Sequence, residues 1–135
     1  MTHPSNTQKY KQTSVKTANR GHLLLMLYEA AILNVKKAIE AIEKKDQKSK
    51  AFHIGKAHDI INELQNTLDF KVGGQIALDL DRLYSYMTEQ LLKANLHQSS
   101  EALGVVLTIL DNLLSGWRVA VEQVNRTPST PMEKT

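Results

Sequence analysis

Apolar residues recur along this chain at alternating steps of three and four, in four separate stretches. Leu24, Tyr28, Ala31, Val35, Ala38 and Ile42 keep step along the first, and Ile54, Ala57, Ile61, Leu64 and Leu68 along the second. The third carries Ala77, Leu80, Tyr84, Met87, Leu91 and Ala94, and the fourth Leu103, Val106, Leu110, Leu113, Trp117, Ala120 and Val124. At 3.6 residues per turn these steps hold side chains on one face, so each stretch predicts an amphipathic helix. Nothing alternates with period two, so no strand is predicted.

The three prolines are Pro4, Pro128 and Pro131, which leaves residues 5–127 free of the strongest helix breaker. The helices are expected at about 21–45, 49–70, 74–94 and 100–123. Thr17 or Asn19 is expected to cap the first, and Ser99 or Ser100 the fourth. Gly73-Gly74 suits the left-handed residue that ends a helix, and is expected to close the second. Short connections force successive helices to lie antiparallel. The fold class is therefore all-α, an up-down-up-down four-helix bundle over residues 17–125. Residues 1–16 and 126–135 are polar and aperiodic, and are expected as a flexible N-terminal arm and a disordered C-terminal tail.

The fourth helix is more apolar than one side of a bundle requires. Leu107, Leu114 and Val121 widen its stripe on one side, and Val105 and Ile109 extend it on the other. Its N-terminal half then presents an apolar arc of roughly 200°, against about 100° for a helix buried on one side. Either a central place between two neighbours or a partner accounts for the excess.

Composition narrows the function by exclusion. A chain of 135 residues argues for one domain with a self-sufficient core. With no cysteine, disulfides, thiolate metal sites and cysteine nucleophiles are all ruled out. No run approaches the roughly 18 apolar residues of a membrane span, and residues 1–14 have no apolar stretch of the secretory type. The net charge of +3 is unevenly placed: residues 1–20 carry four bases and no acid, and the other 115 carry 13 bases against 14 acids. A basic tail on a nearly neutral body is not the dense basic stripe of a nucleic-acid-binding fold. No nucleic-acid partner and no membrane insertion are expected.

Catalytic chemistry is also missing. No glutamate has a histidine three residues on, as a two-metal carboxylate bundle would need. His53 and His58 stand five apart, over 100° around a helix, which disfavours a shared metal. Gly73-Gly74 precedes no Lys-Ser or Lys-Thr, so it forms no phosphate loop. Asp59 with Glu63, and Asp79 with Asp81 and Arg82, read as solvated charges. No enzyme activity, cofactor or metal is expected.

The strings YKQTSVKTANRGHLLLMLYEAAI and IGKAHDIINELQNTLDFKVGGQIALDLDRLYSYMTEQLLKAN resemble the flagellin export chaperones of the FliS family. The resemblance runs from Tyr10 to about Val119. It rests on the order and spacing of Tyr10 with Val15-Lys16-Thr17-Ala18, Leu27-Tyr28, Lys56-Ala57, Ile60-Ile61, Leu68-Asp69, Gly73-Gly74, Leu83-Tyr84, Met87, Ala94-Asn95 and Trp117. Asn19-Arg20 stands where the family usually has Ser-Pro or Thr-Pro, and Glu29-Ala30-Ala31 where it has Asp-Gly-Ala. The resemblance implies a cytoplasmic chaperone that binds the disordered C-terminal segment of flagellin, blocks premature polymerisation and delivers it to a component of the flagellar type III export apparatus. Tyr10, Val15, Val105 and Ile109 are the expected flagellin-binding residues. Residues 1–16 are expected to fold back over an apolar groove of the free bundle until flagellin displaces them.

Overall fold

The computed structural model describes the backbone of residues 6–126 and the side chains from Asn19 to Arg126. Four helices follow one another: α1 (Asn6–Glu43), α2 (Gln47–Asn66), α3 (Phe70–His97) and α4 (Ser100–Arg126). Each packs against its two neighbours in a ring, with α1 and α3 both touching α2 and α4. No strand occurs among the described residues, and the expected four-helix bundle stands.

The stepped residues build the core. Tyr28, Ala31, Val35 and Ala38 of α1 meet Ile54, Ala57, Ile61 and Leu64 of α2, and all six stepped positions of α3 are buried. On α4 the buried run is Ala102, Leu103, Val106, Leu110 and Leu114. Beyond it the expected stripe leaves the core: Trp117 is half-buried, and Ala120 and Val124 are exposed.

Helix limits differ from expectation where local chemistry decides them. Thr17 and Asn19 lie inside α1, whose backbone is helical from Asn6. The backbone from Asn6, inside the span expected as an N-terminal arm, is continuous with α1; Pro4 precedes this start in the sequence and no proline interrupts the helix. The side chains of Tyr10 and Val15, and residues 127–135 of the expected tail, lie outside the described residues. The α2–α3 turn falls at Thr67–Asp69, because the Asp69 carboxylate accepts from the backbone N–H of Lys71 and Val72, both at 3.0 Å, and so starts α3. Gly74 does adopt a left-handed φ of 50°, but with ψ of −124° it kinks the first turns of α3 and does not close α2. Asp46 caps α2 through Ser49 N–H at 3.0 Å. Ser99 caps α4 through Ala102 N–H at 3.1 Å, as the sequence suggests.

Two buried polar groups hold the helices in register. Lys50, 4% exposed, donates from Nζ to Asn95 O, Gln98 Oε1 and Gln47 Oε1, each at 2.9 Å. It thereby caps the C-terminal end of α3, where a cation and a donor are both favourable. At the other end of the core the hydroxyls of Tyr28 and Tyr84 hydrogen-bond to each other, joining α1 to α3 across the bundle. Burial pushes both phenols above their usual pKa of 10.0; the hydrogen bond eases this for Tyr28 and adds to it for Tyr84.

Replacing Lys50 by Met removes the donor from the half-buried Asn95 carbonyl and from the exposed Gln98 side-chain oxygen. The variant is expected to lose about 1–3 kcal/mol in urea unfolding, the net worth of hydrogen bonds from a charged donor. The tyrosines predict an alkaline limit. Above pH 10.0, where an unfolded phenol ionises, the unfolded chain holds fewer protons than the folded one, so stability falls as pH rises. Melting temperature should decline from pH 10 to pH 12 more steeply than in a Tyr28→Phe/Tyr84→Phe variant; equal slopes would remove the tyrosines from that limit.

Candidate functional site

The end of the bundle where α2 stops and α3 starts is not closed by core residues. Two apolar clefts open there. The larger, about 650 Å³, lies between α1 and α4 and is walled by Leu23, Leu24 and Leu27 on one side and Trp117, Ala120, Val121 and Val124 on the other. Gly21 permits the close approach of these helices, since a Cβ there would sit 3.2 Å from both Val121 methyls. Arg20 and Asn125, both exposed, supply polar edges.

The smaller cleft, about 270 Å³, is walled by Val72, Ile76, Ala77 and Leu80 of the kinked start of α3. Leu24, Leu64, Thr67 and Trp117 belong to both clefts, so the two form one trough with Trp117 standing between them. Tyr84 lines the smaller cleft and carries the hydrogen bond to Tyr28 beneath it. Around the trough Leu23 is 56% exposed, Val124 57%, Ile76 68% and Val72 86%. Single exposed apolar residues are ordinary, but a contiguous set around a cleft marks a binding surface. The opposite end differs: its depression of about 310 Å³ is lined by turn residues, among them Lys45, Asp46, Gln47 and Gln98.

Val105 and Ile109 do not line the trough. Arg118, 3.2 Å from Glu29, and Val121 beside Gly21 show which flank of α4 faces α1. At 100° per residue Val105 and Ile109 fall on the other flank, toward α3. Both are half-buried, and Ile109 packs against the core. Part of the apolar excess on α4 is thus used in ordinary packing.

The polar clusters give no catalytic arrangement. His53 Nδ1 donates to Asn34 Oδ1 at 2.9 Å and ties α2 to α1, while His58 meets Asp59 only at 3.9 Å on the surface. Among the described residues no three His, Asp or Glu side chains converge as a metal site would need. α4 is long and apolar enough by composition to cross a membrane, although the sequence holds no uninterrupted apolar run of that length. Its apolarity serves the core through Leu103, Val106 and Leu110 and the trough through Trp117 and Val121.

A helical bundle with an apolar trough at one end offers a surface of the kind that protein partners use. Comparison with known proteins assigns it: the chain belongs to the FliS family, the model described as flagellar protein FliS matching residues 2–124. It is similar to flagellar secretion chaperone FliSB of Pseudomonas aeruginosa, with 34% identity over 82% of this chain and 90% of that protein. Flagellar secretion chaperone FliS of Bacillus subtilis is 32% identical over 84% of each chain. The Salmonella typhimurium chaperone of the same name is 34% identical over 84% of this chain and 88% of its own. The family is one of chaperones in flagellar export, not of enzymes.

Proposed function

We propose that this chaperone works in the cytosol by taking the disordered C-terminal segment of flagellin into the trough between α1, α4 and the start of α3. Holding that segment keeps flagellin from polymerising before export and presents it to the flagellar type III apparatus. The observation that supports this reading is the apolar trough at the open end of the bundle, in a member of a secretion-chaperone family.

A segment that becomes helical on binding would lay its i, i+3, i+4 apolar side chains along the trough, as in helix-in-groove recognition. Apolar burial would dominate the complex, so affinity should hold at moderate salt, unlike contacts to nucleic acid. Val105 and Ile109 would extend the contact along the α3-facing flank of α4. Tyr10 and Val15 lie on the stretch of α1 that leads into the trough wall, and we place them in the same contact. Removing residues 1–16 should then weaken binding; tighter binding would mean that they compete for the groove.

Leu23 and Val124 are more than half exposed, so changing them to Asp should leave the bundle folded. A Leu23→Asp/Val124→Asp variant is expected to bind a flagellin C-terminal peptide at least about tenfold more weakly, since each buried aliphatic side chain contributes about 1.5–3 kcal/mol. Calorimetry, with circular dichroism to verify the fold, measures this. Unchanged affinity would exclude the trough. Weakening by Val105→Glu/Ile109→Glu alone would move the site to the flank of α4.

A further inference from the structure

The two clefts of the trough differ in charge as well as in size. Among the residues that line the larger, Arg20 alone is charged, and among those that line the smaller, Asp69 alone. Arg20 is exposed and forms no ion pair among the described residues. The stretch that leads into it, residues 1–18, holds no aspartate or glutamate. Two acids on the helices of the same cleft are engaged elsewhere: Glu29 with Arg118 at 3.2 Å, and Glu122 with Arg126 at 2.7 Å. Asp69 accepts from the backbone N–H of Lys71 and Val72 and so starts α3, which puts a negative charge beside the smaller cleft.

We infer that Arg20 is a specificity-determining residue of the trough, taking a carboxylate of the guest segment beside the apolar side chains that fill the α1–α4 cleft. This deepens the flagellin-binding reading and rests on it. A guest that covers Leu23 and Val124 also strips water from the neighbouring guanidinium. That loss goes uncompensated unless the guest brings an acceptor of opposite charge. The planar fork of N–H donors on arginine suits a carboxylate, which it can hold through two bonds at once. The same carboxylate placed at the smaller cleft would meet Asp69 and be repelled. One acid in the guest therefore fixes which of its apolar groups enters which cleft, where apolar contacts alone would permit either placement.

The test uses the full chain and a synthetic peptide of the flagellin C-terminal segment. The peptide is made with a free or an amidated C-terminus, and with its acidic side chains changed to amides one at a time. Calorimetry on the unmodified peptide should show Arg20→Gln binding about three- to tenfold more weakly, with circular dichroism unchanged and part of the loss recovered in Arg20→Lys. One neutralised peptide should lose the same factor on the wild-type protein and lose nothing further on Arg20→Gln, the mark of a coupled pair. If that peptide is the amidated one, the carboxylate is the chain terminus; otherwise it is the side chain replaced. The coupling should shrink as salt rises, because the pair sits at an exposed rim. Unchanged affinity in folded Arg20→Gln would overturn the assignment and leave the trough reading standing. So would a set of neutralised peptides that all lose equally on both proteins. Failure of the wild-type protein to bind the unmodified peptide would overturn the trough reading, and this inference with it.

Discussion

The shortness of α2 is the constraint on which this molecule depends. It runs 20 residues, while α1 runs 38, α3 28 and α4 27. At 1.5 Å per residue that is about 30 Å of wall beside about 57 Å of α1. Past Leu64 and Thr67 the apolar faces of α1 and α4 continue with each other for company but without a fourth helix over them. The start of α3 does not fill the gap, because Gly74 kinks it and leaves Val72 and Ile76 facing water. The trough is thus not carved into the bundle. It is what remains when four amphipathic helices of unequal length share one core.

An open apolar end would fray unless the packed part were fixed on its own. The two buried polar ties do this from both directions. Lys50 binds the α3–α4 turn to the start of α2, and the Tyr28–Tyr84 hydrogen bond closes the core directly below the trough. Both are satisfied within the protein, so neither needs the trough to be filled. The empty chaperone can therefore keep its helices in register while it presents unsatisfied apolar surface.

Periodicity made the core legible because it is a local property: every stepped residue of α3 is buried where the spacing places it. On α4 the same spacing continues through Trp117, Ala120 and Val124, yet burial stops at Leu114, since burial there depends on the length of another helix. Gly73-Gly74 announced a backbone irregularity correctly but not its place; the Asp69 cap, readable in principle as an aspartate before a helical run, sets the turn earlier. Lys50 looked like one more basic residue in a charged stretch. Only the approach of Asn95 and Gln98, over forty residues away, buries it. Likewise the extra apolar surface of Val105 and Ile109 was visible, whereas its partial use against the core was not. The trough itself is the combined product of Leu23, Val72, Trp117 and Val124, which no single stretch of sequence brings together.

The size of the trough sets how it can hold a partner. Clefts of about 650 and 270 Å³ match small-ligand pockets, not the footprint of a wrapped polypeptide. A disordered segment gives up about 2–5 kcal/mol or more on ordering, so a few side chains in such clefts recover little beyond that cost. On the proposed reading, useful affinity would come from contacts spread along the bundle, with the trough as the anchor that fixes register. The half-buried flank of α4 carrying Val105 and Ile109 offers one such continuation. Distributed weak contacts around one anchor also suit an export chaperone, because cargo can be peeled away piece by piece. A single deep pocket of equal total strength would release its cargo only in one step across one high barrier.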